Sequence, residues 1–430
     1  MRVGIIGGGL CGLSAAIRLA QRDIQVDLFE AAPAPGGRTR SFFEHKTGQW
    51  IDNGPHLLSG AYRQTLELLN EAGIGDHITW QKTLHLALWH RQRGHFHLQP
   101  SSSLPLALAL PLSCCRMPGH DFSDILSMLR LATHLNRPPG NDTCVQSWLE
   151  QMGVNRALMA DMLEPLCLGA MNEVPATANA ASFARVLREA FANHAAARLG
   201  WFNKPLSEAL IDPLVKLAQQ LGVALHTNTR MRTVQSNGKR IDVLTNDKTH
   251  RFDAAILALP LRAANQLLGI SKPVRTRRIT NIHMWFNDMP ALAYPFIGGI
   301  GTCGHWFFDV SAQMIAPAHE QNRGLRHICC VISADLQNLR GQQLVNQVSC
   351  ELAAIVGAPD ATAKKPQFVR IVSEHHATTS VSPHTQQTSL PPSLINACEA
   401  PLPGDLPATI ESAVLRGQNA AEHCCLQLFS

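Results

Sequence analysis

Val3-Gly4-Ile5-Ile6-Gly7-Gly8-Gly9-Leu10-Cys11-Gly12 opens the chain, and Val26-Asp27-Leu28-Phe29-Glu30 follows it after a helix-length interval. The uncharged apolar run predicts a buried strand. Gly7, Gly9 and Gly12 then spell G-x-G-x-x-G. Gly7 permits the tight turn, Gly9 lets the backbone approach a pyrophosphate, and Gly12 lets a helix pack close to the strand. Leu10, Leu13, Ala16, Ile17 and Ala20 recur near the helical period, so a helix follows at once. Its first turn, with Leu10 and Cys11, points free N–H groups and the positive dipole end at the phosphates. Glu30 ends the second strand, where a carboxylate can accept from ribose hydroxyls. The glycine motif alone is a weak signal. Strand, turn, helix, strand and acid in this order predict a dinucleotide site on an α/β fold with a parallel sheet.

Composition narrows the class. Apolar residues make up 45% and charged residues only 16%, which predicts a folded chain with a large core or an apolar ligand to hold. The net charge of +5 is scattered and lacks interleaved aromatics, so nucleic acid is not an expected partner. The twelve cysteines include adjacent pairs but no C-x-x-C and no zinc spacing, so no metal site is expected. The chain opens directly into a strand, so no leader is expected. The cysteines then read as reduced, buried groups of a cytoplasmic protein. No stretch has the ~18–20 apolar residues of a spanning helix. The closest, Leu104-Pro105-Leu106-Ala107-Leu108-Ala109-Leu110-Pro111-Leu112, has two readings: a buried or loop segment, or an apolar lip that dips into a membrane surface.

A second glycine pair turns the expectation from NAD to FAD. Ala34-Pro35-Gly36-Gly37-Arg38-Thr39-Arg40 resembles the second glycine motif of the flavin amine oxidase and carotenoid desaturase superfamily, in which the arginine and nearby amides contact FAD. The resemblance implies a Rossmann-like FAD-binding domain assembled from distant pieces, with an α+β substrate domain between them. The pieces are expected at 1–80, 205–268 and 389–430, separated by a helical substrate segment at 81–204 and a roofing sheet at 269–388. Helix-rich stretches are expected at 122–135 and 161–192, a helix at 206–218, and strands at 223–226, 230–234, 240–244 and 252–260. Further strands are expected at 281–286, 305–308, 327–333 and 368–372, and a surface loop at 378–392.

Four segments carry a closer likeness, over nearly the whole length. They are Asp52-Asn53-Gly54-Pro55-His56; Glu164-Pro165-Leu166-Cys167-Leu168-Gly169-Ala170-Met171-Asn172; Trp306-Phe307-Phe308-Asp309; and Leu406-Pro407-Ala408-Thr409-Ile410-Glu411. Together they resemble the squalene-associated, FAD-dependent hydroxysqualene dehydroxylases of bacterial hopanoid and squalene pathways. The likeness implies reductive loss of an allylic hydroxyl from an apolar isoprenoid, with FAD as cofactor. It implies squalene-synthesis enzymes and a peripheral inner-membrane surface as partners. Pro407, Ala408 and Thr409 are expected near the first turn of a helix whose amides face the flavin, Thr409 foremost, and Met231 where backbone meets adenine. Two departures stand out. Relatives carry Gly-Asp where this chain has Cys398-Glu399, so Glu399 is expected to replace the acid unless the loop has shifted. The family's E-x-R-A-T-F becomes Glu374-His375-His376-Ala377-Thr378-Thr379. Asp52 and His56 are the candidate catalytic groups. A turn-forming aspartate and a packed histidine are the alternatives. A carotenoid or phytoene-type desaturase, an amine-oxidase-like flavoenzyme and an inactive FAD-binding member of a lipid-synthesis complex remain rival readings.

Overall fold

The structure is a computed structural model that describes the chain except residues 138, 239, 247, 288, 315–324, 336–337, 358–364, 383–389 and 430. Arg2–Ile6 is the middle strand of a five-stranded sheet ordered Ala224–His226, Gln25–Phe29, Arg2–Ile6, Ala254–Leu257, Leu394–Asn396. Every pairing in it is parallel. Val3, Ile5, Val26, Leu28 and Ile256 are buried, as a sheet covered on both faces requires. The chain winds outward from Arg2–Ile6 through Gln25–Phe29 to Ala224–His226, then resumes on the opposite side at Ala254–Leu257. That reversal opens a crevice beyond the carboxyl ends of Arg2–Ile6 and Ala254–Leu257, where ligands of open α/β sheets bind. Helix Leu10–Ala20 packs on this sheet, and helix Ile410–Phe429 packs on Leu10–Ala20. Gly417 permits that close approach, because a Cβ there would lie 2.2 Å from the Cys11 carbonyl oxygen.

An antiparallel meander, Thr233–Ser236, Ile241–Leu244 and Thr249–Phe252, precedes the return strand. Its first strand starts later than the sequence implies. The Asn228 and Thr229 amides donate to the Ala32 and Glu30 carbonyls, which ties this stretch to the end of Gln25–Phe29 before the meander begins.

The second large sheet has seven strands, ordered Phe368–Thr379, Thr276–Phe286, Arg326–Ile332, Trp306–Asp309, Phe296–Ile300, Leu86–His90, Gly94–Leu98. Its last two strands come from the stretch read as helix-rich, and they enter the sheet through a parallel pairing with Phe296–Ile300. Thr378 and Thr379 finish the strand Phe368–Thr379 and so are not loop. Residues 383–389, the middle of the expected loop, lie outside the described residues.

The helices Leu106–Cys114, Phe122–His134, Val145–Gln151, Glu164–Met171 and Ala180–Ala190 pack a second core against this sheet. The helix-rich stretch 161–192 holds Glu164–Met171 and Ala180–Ala190 as separate helices. Asn172 takes a left-handed conformation with φ at 53° and stops Glu164–Met171. Its side-chain amide donates to Thr378 Oγ1 at 2.9 Å and its carbonyl accepts from the Ala334 amide, which ties helix to sheet. Among the described residues no helix is long and apolar enough to cross a membrane.

Candidate active site

The glycine turn sits at the crevice. Gly7 has φ at 112°, and a Cβ there would meet the Ala258 carbonyl oxygen at 2.4 Å, while a Cβ on Gly12 would lie 1.9 Å from the Gly7 carbonyl oxygen. The protein's own backbone therefore requires both. Gly9 is different: a Cβ there meets nothing within 4 Å. Its lack of a side chain leaves a cradle that a ligand backbone could fill. Gly9 is also the N-cap of Leu10–Ala20 and gives the helix no side-chain cap, so the first-turn amides of Leu10, Cys11 and Gly12 stay available to an anion. The second glycine motif closes on the first. The Gly36 amide donates to the Gly8 carbonyl at 2.8 Å, and a Cβ on Gly37 would lie 3.4 Å from Gly9 Cα.

Glu30 is fixed at this turn. Its carboxylate oxygens accept from the Gly8 and Ala32 amides, each at 2.8 Å. Each oxygen keeps a lone pair for a hydroxyl donor. Cys11 is buried and donates its thiol to the Ala397 carbonyl at 3.4 Å. Burial pushes the thiol up to about 11, so it is neutral and unreactive at physiological pH.

The two sequence departures meet at one ion pair. Arg38 donates to the Ala377 carbonyl and to Glu399. Glu399 also accepts from the Thr379 amide at 2.8 Å, with Arg416 3.8 Å away. Burial alone would raise the Glu399 carboxyl, but Arg38, with Arg416 and the Thr379 amide, outweighs it and holds the group below the usual range. Glu399 thus stands directly after the edge strand Leu394–Asn396, and the altered segment contributes through backbone groups of Ala377 and Thr379. Sequence reading missed Arg416. Its Nε is buried without a hydrogen-bond partner, an open donor beside the Arg38–Glu399 pair. The open cradle at Gly9, the uncapped helix and this orphaned donor fit a bound dinucleotide.

Helix Ile410–Phe429 starts later than expected. Pro407 lies before the helix, outside its first turn. Thr409 caps it reciprocally with Ser412: the Thr409 amide donates to Ser412 Oγ at 3.0 Å and the Ser412 amide to Thr409 Oγ1 at 3.1 Å. The Thr409 amide is therefore already engaged within the chain. Met231 is buried in a cluster with Phe29 and Phe252 that also takes in Ile6 and Leu257 of the parallel sheet.

Asp52 ends the strand Gln49–Asp52, and its Oδ1 accepts from Ser41 Oγ at 2.6 Å and the Leu206 amide at 2.8 Å. Burial raises it to about 6, against the pull of those donors. His56 pairs Nδ1 with the Gly54 carbonyl at 2.8 Å. Burial lowers its pKa, so the ring is neutral near pH 7. Among the described residues its Nε2 has no hydrogen-bond partner. Next to it, Leu57 pairs with Trp201 across strands, and both join Leu166, Ala170 and Val331 as half-exposed apolar groups on the helical core. A separate cavity of about 560 Å³ in the helical segment is lined by polar groups such as Gln146, Glu150, Arg156 and Glu164. It is not a dry tunnel. Among the described residues no three His, Cys, Asp or Glu side chains gather to hold a metal ion.

Comparison with known proteins places this geometry. Residues 10–425 match the family of flavin containing amine oxidoreductases, and the chain belongs to that family. A hydroxysqualene dehydroxylase of Sinorhizobium fredii is 29% identical over 98% of this chain and 97% of its own length. A 15-cis-phytoene desaturase of Glycine max is 24% identical over 67% of this chain and 54% of its own. The solved structure of cyclohexylamine oxidase from Brevibacterium oxydans shares the fold, with a TM-score of 0.71 at 15% identity over 100% of this chain and 99% of that one. The protein is an FAD-dependent oxidoreductase of Rossmann-like α/β architecture.

Proposed function

We propose that this flavoenzyme removes the hydroxyl of hydroxysqualene to give squalene. End-to-end similarity to hydroxysqualene dehydroxylases carries the reading, since the desaturase likeness covers only part of the chain. The substrate's C–O bond breaks, the hydroxyl takes a proton and leaves as water, and the allylic carbon takes a hydride. Reduced FAD supplies that hydride when bound. The protein holds the cofactor through the amides at Gly9 to Gly12, the Glu30 carboxylate, the Gly36-Gly37 turn and the Arg38–Glu399–Arg416 group. Apolar groups such as Leu57, Trp201 and Val331 exclude water from the delocalised cation left on the substrate.

His56 is the group offered to the leaving hydroxyl, because its Nε2 is open while Nδ1 is held by Gly54. Asp52 acts as a positioning residue that joins Ser41 to Leu206. On this reading the protein works at the cytoplasmic face of the inner membrane, beside the enzymes that make its substrate.

The test is an anaerobic assay with chemically reduced enzyme and hydroxysqualene in detergent micelles, with products separated by gas chromatography. Squalene is expected. Desaturated polyenes, or recovery of unchanged substrate by flavin-loaded enzyme, would overturn the reading.

A further inference from the structure

We propose that the helix pair Leu106–Cys114 and Phe122–His134 is the surface by which this protein docks on an anionic lipid bilayer. This rests in part on the apolar-substrate reading above and names the surface and lipid class that serve it. Among the described residues twelve large apolar side chains are exposed, and Leu104, Leu108, Leu112, Phe122, Leu126 and Leu129 on this short segment make up half of them. Phe122 is 71% exposed, Leu126 55% and Leu108 50%. Such a concentration marks an interaction surface, whereas isolated exposed leucines are ordinary.

The spacing orders these residues into two ridges. Leu108 and Leu112 lie one turn apart on the first helix, with Leu104 just before its start, and the same step reaches Arg116 just past the helix end. Phe122 and Leu126 do likewise on the second helix, and the same step reaches Arg130. The first ridge thus runs into the exposed Arg116, whose long stem can lie along acyl chains while its guanidinium stays at the phosphates, and the second ends at Arg130, whose guanidinium donates to the Met152 carbonyl at 3.0 Å. The first helix carries no charged residue at all.

The two helices pack against each other and are held rigidly from beneath. Between them His120 places Nδ1 3.0 Å from Asp124 and Nε2 2.9 Å from Asp161, with all three side chains buried. Arg93 donates to the Pro118 carbonyl at 2.8 Å, and the Leu104 carbonyl lies 2.8 Å from His194 Nε2. These contacts fix the two helices to each other and to the body of the protein.

Charge selects the occupant. Residues 101–137 expose Arg116, Arg130 and Arg137, and Asp121 as their exposed acid. A second copy would set basic ridge ends against an identical basic face, whereas anionic headgroups complement them.

The full chain, loaded with flavin, is sedimented with phosphatidylethanolamine–phosphatidylglycerol vesicles and, separately, with phosphatidylcholine vesicles. Pelleting is expected with the first and weakly with the second. Combining Leu108→Ser, Phe122→Ser and Leu126→Ser should cut partitioning at least tenfold while flavin absorbance and turnover in detergent stay unchanged. Arg116→Glu should cut binding to the anionic vesicles about fivefold. A wild-type protein that stays in the supernatant with both vesicles overturns the proposal, and so does a triple variant that pellets undiminished. A triple variant that only shifts from dimer to monomer assigns the face to a second copy instead. If vesicle binding persists while no squalene forms, the substrate reading fails and the docking surface stands.

Discussion

The crevice at the glycine turn and the helix pair of the insert differ in what accounts for their residues. At the crevice, Gly7 and Gly12 are required by backbone atoms 2.4 and 1.9 Å from where their Cβ atoms would be, so the protein's own packing explains them. Gly9 faces open space and has no such explanation. On the helix pair, Leu108, Leu126 and Phe122 face outward and contribute little to any core. Residues that packing explains speak about the fold. Residues that packing leaves unexplained speak about what the protein meets.

The sharpest way to break that contrast is a pair of substitutions in one turn. Gly12→Val forces a side chain into the Gly7 carbonyl, and a cost of about 3 kcal/mol or more is expected, read as a collapsed urea midpoint or as insoluble protein. Gly9→Leu should keep the far-ultraviolet circular dichroism and urea midpoint of the flavin-free protein yet abolish flavin retention. Equal damage from both would erase the distinction.

Next in size is the buried ion pair. Glu399→Gln leaves the Arg38 guanidinium without its carboxylate, a loss of about 2–4 kcal/mol in urea unfolding. Because Glu399 is held below its ordinary pKa in the folded state, its contribution is full above the unfolded value, ~4.3, and fades as pH falls below it. The stability gap between wild type and variant should therefore narrow toward pH 3. A gap that is flat with pH would show that the carboxylate charge is not what matters.

His56 and Asp52 come next. His56→Ala should lower kcat roughly a hundredfold. Wild-type kcat should rise from pH 8 to pH 6, since the imidazolium that donates the proton is scarce when burial lowers the pKa. Asp52→Asn should keep most activity. Asp52 is raised to about 6 in the folded state, above its ordinary value, so ionising it costs stability as pH climbs through that window. The asparagine variant should gain about 1–2 kcal/mol on wild type between pH 4 and 7, allowing for solvent screening of a half-buried group. A large loss of kcat in Asp52→Asn with full activity in His56→Ala would reverse the assignments.

The smallest effect is expected at Cys11. Cys11→Ser should shift stability by under about 1 kcal/mol and leave flavin reduction unchanged, because the thiol is neutral and donates to the Ala397 carbonyl, as a serine hydroxyl can. A changed reduction rate would give the thiol a chemical part.

Legibility in the sequence followed locality. The Arg2–Ile6 strand, the turn and Glu30 lie within one stretch, and local backbone sterics with apolar periodicity suffice to read them. The strands Leu86–His90 and Gly94–Leu98 pair with each other as a local hairpin, but their place in the sheet was hidden because it rests on the pairing of Leu86–His90 with Phe296–Ile300, far along the chain. Asn172 read as part of a family motif. Its left-handed turn and its bonds to Thr378 and Ala334 explain why that motif ends in asparagine. Arg416 carried no signal at all. A single arginine on an amphipathic helix looks like solvated surface until Glu399 is folded beside it.

Sequence alone determined that the chain would build a parallel sheet with a glycine-lined turn at its centre, because Cβ sterics and residue periodicity act within a few positions. Only the tertiary structure decided that Glu399 and the Ala377 carbonyl converge on Arg38 while the Thr379 amide holds Glu399, that the Thr409 amide is spent on Ser412, and that His120 joins Asp124 to Asp161 beneath the helix pair. Those outcomes depend on contacts between residues distant in the chain, and such contacts exist only once burial has brought the segments together.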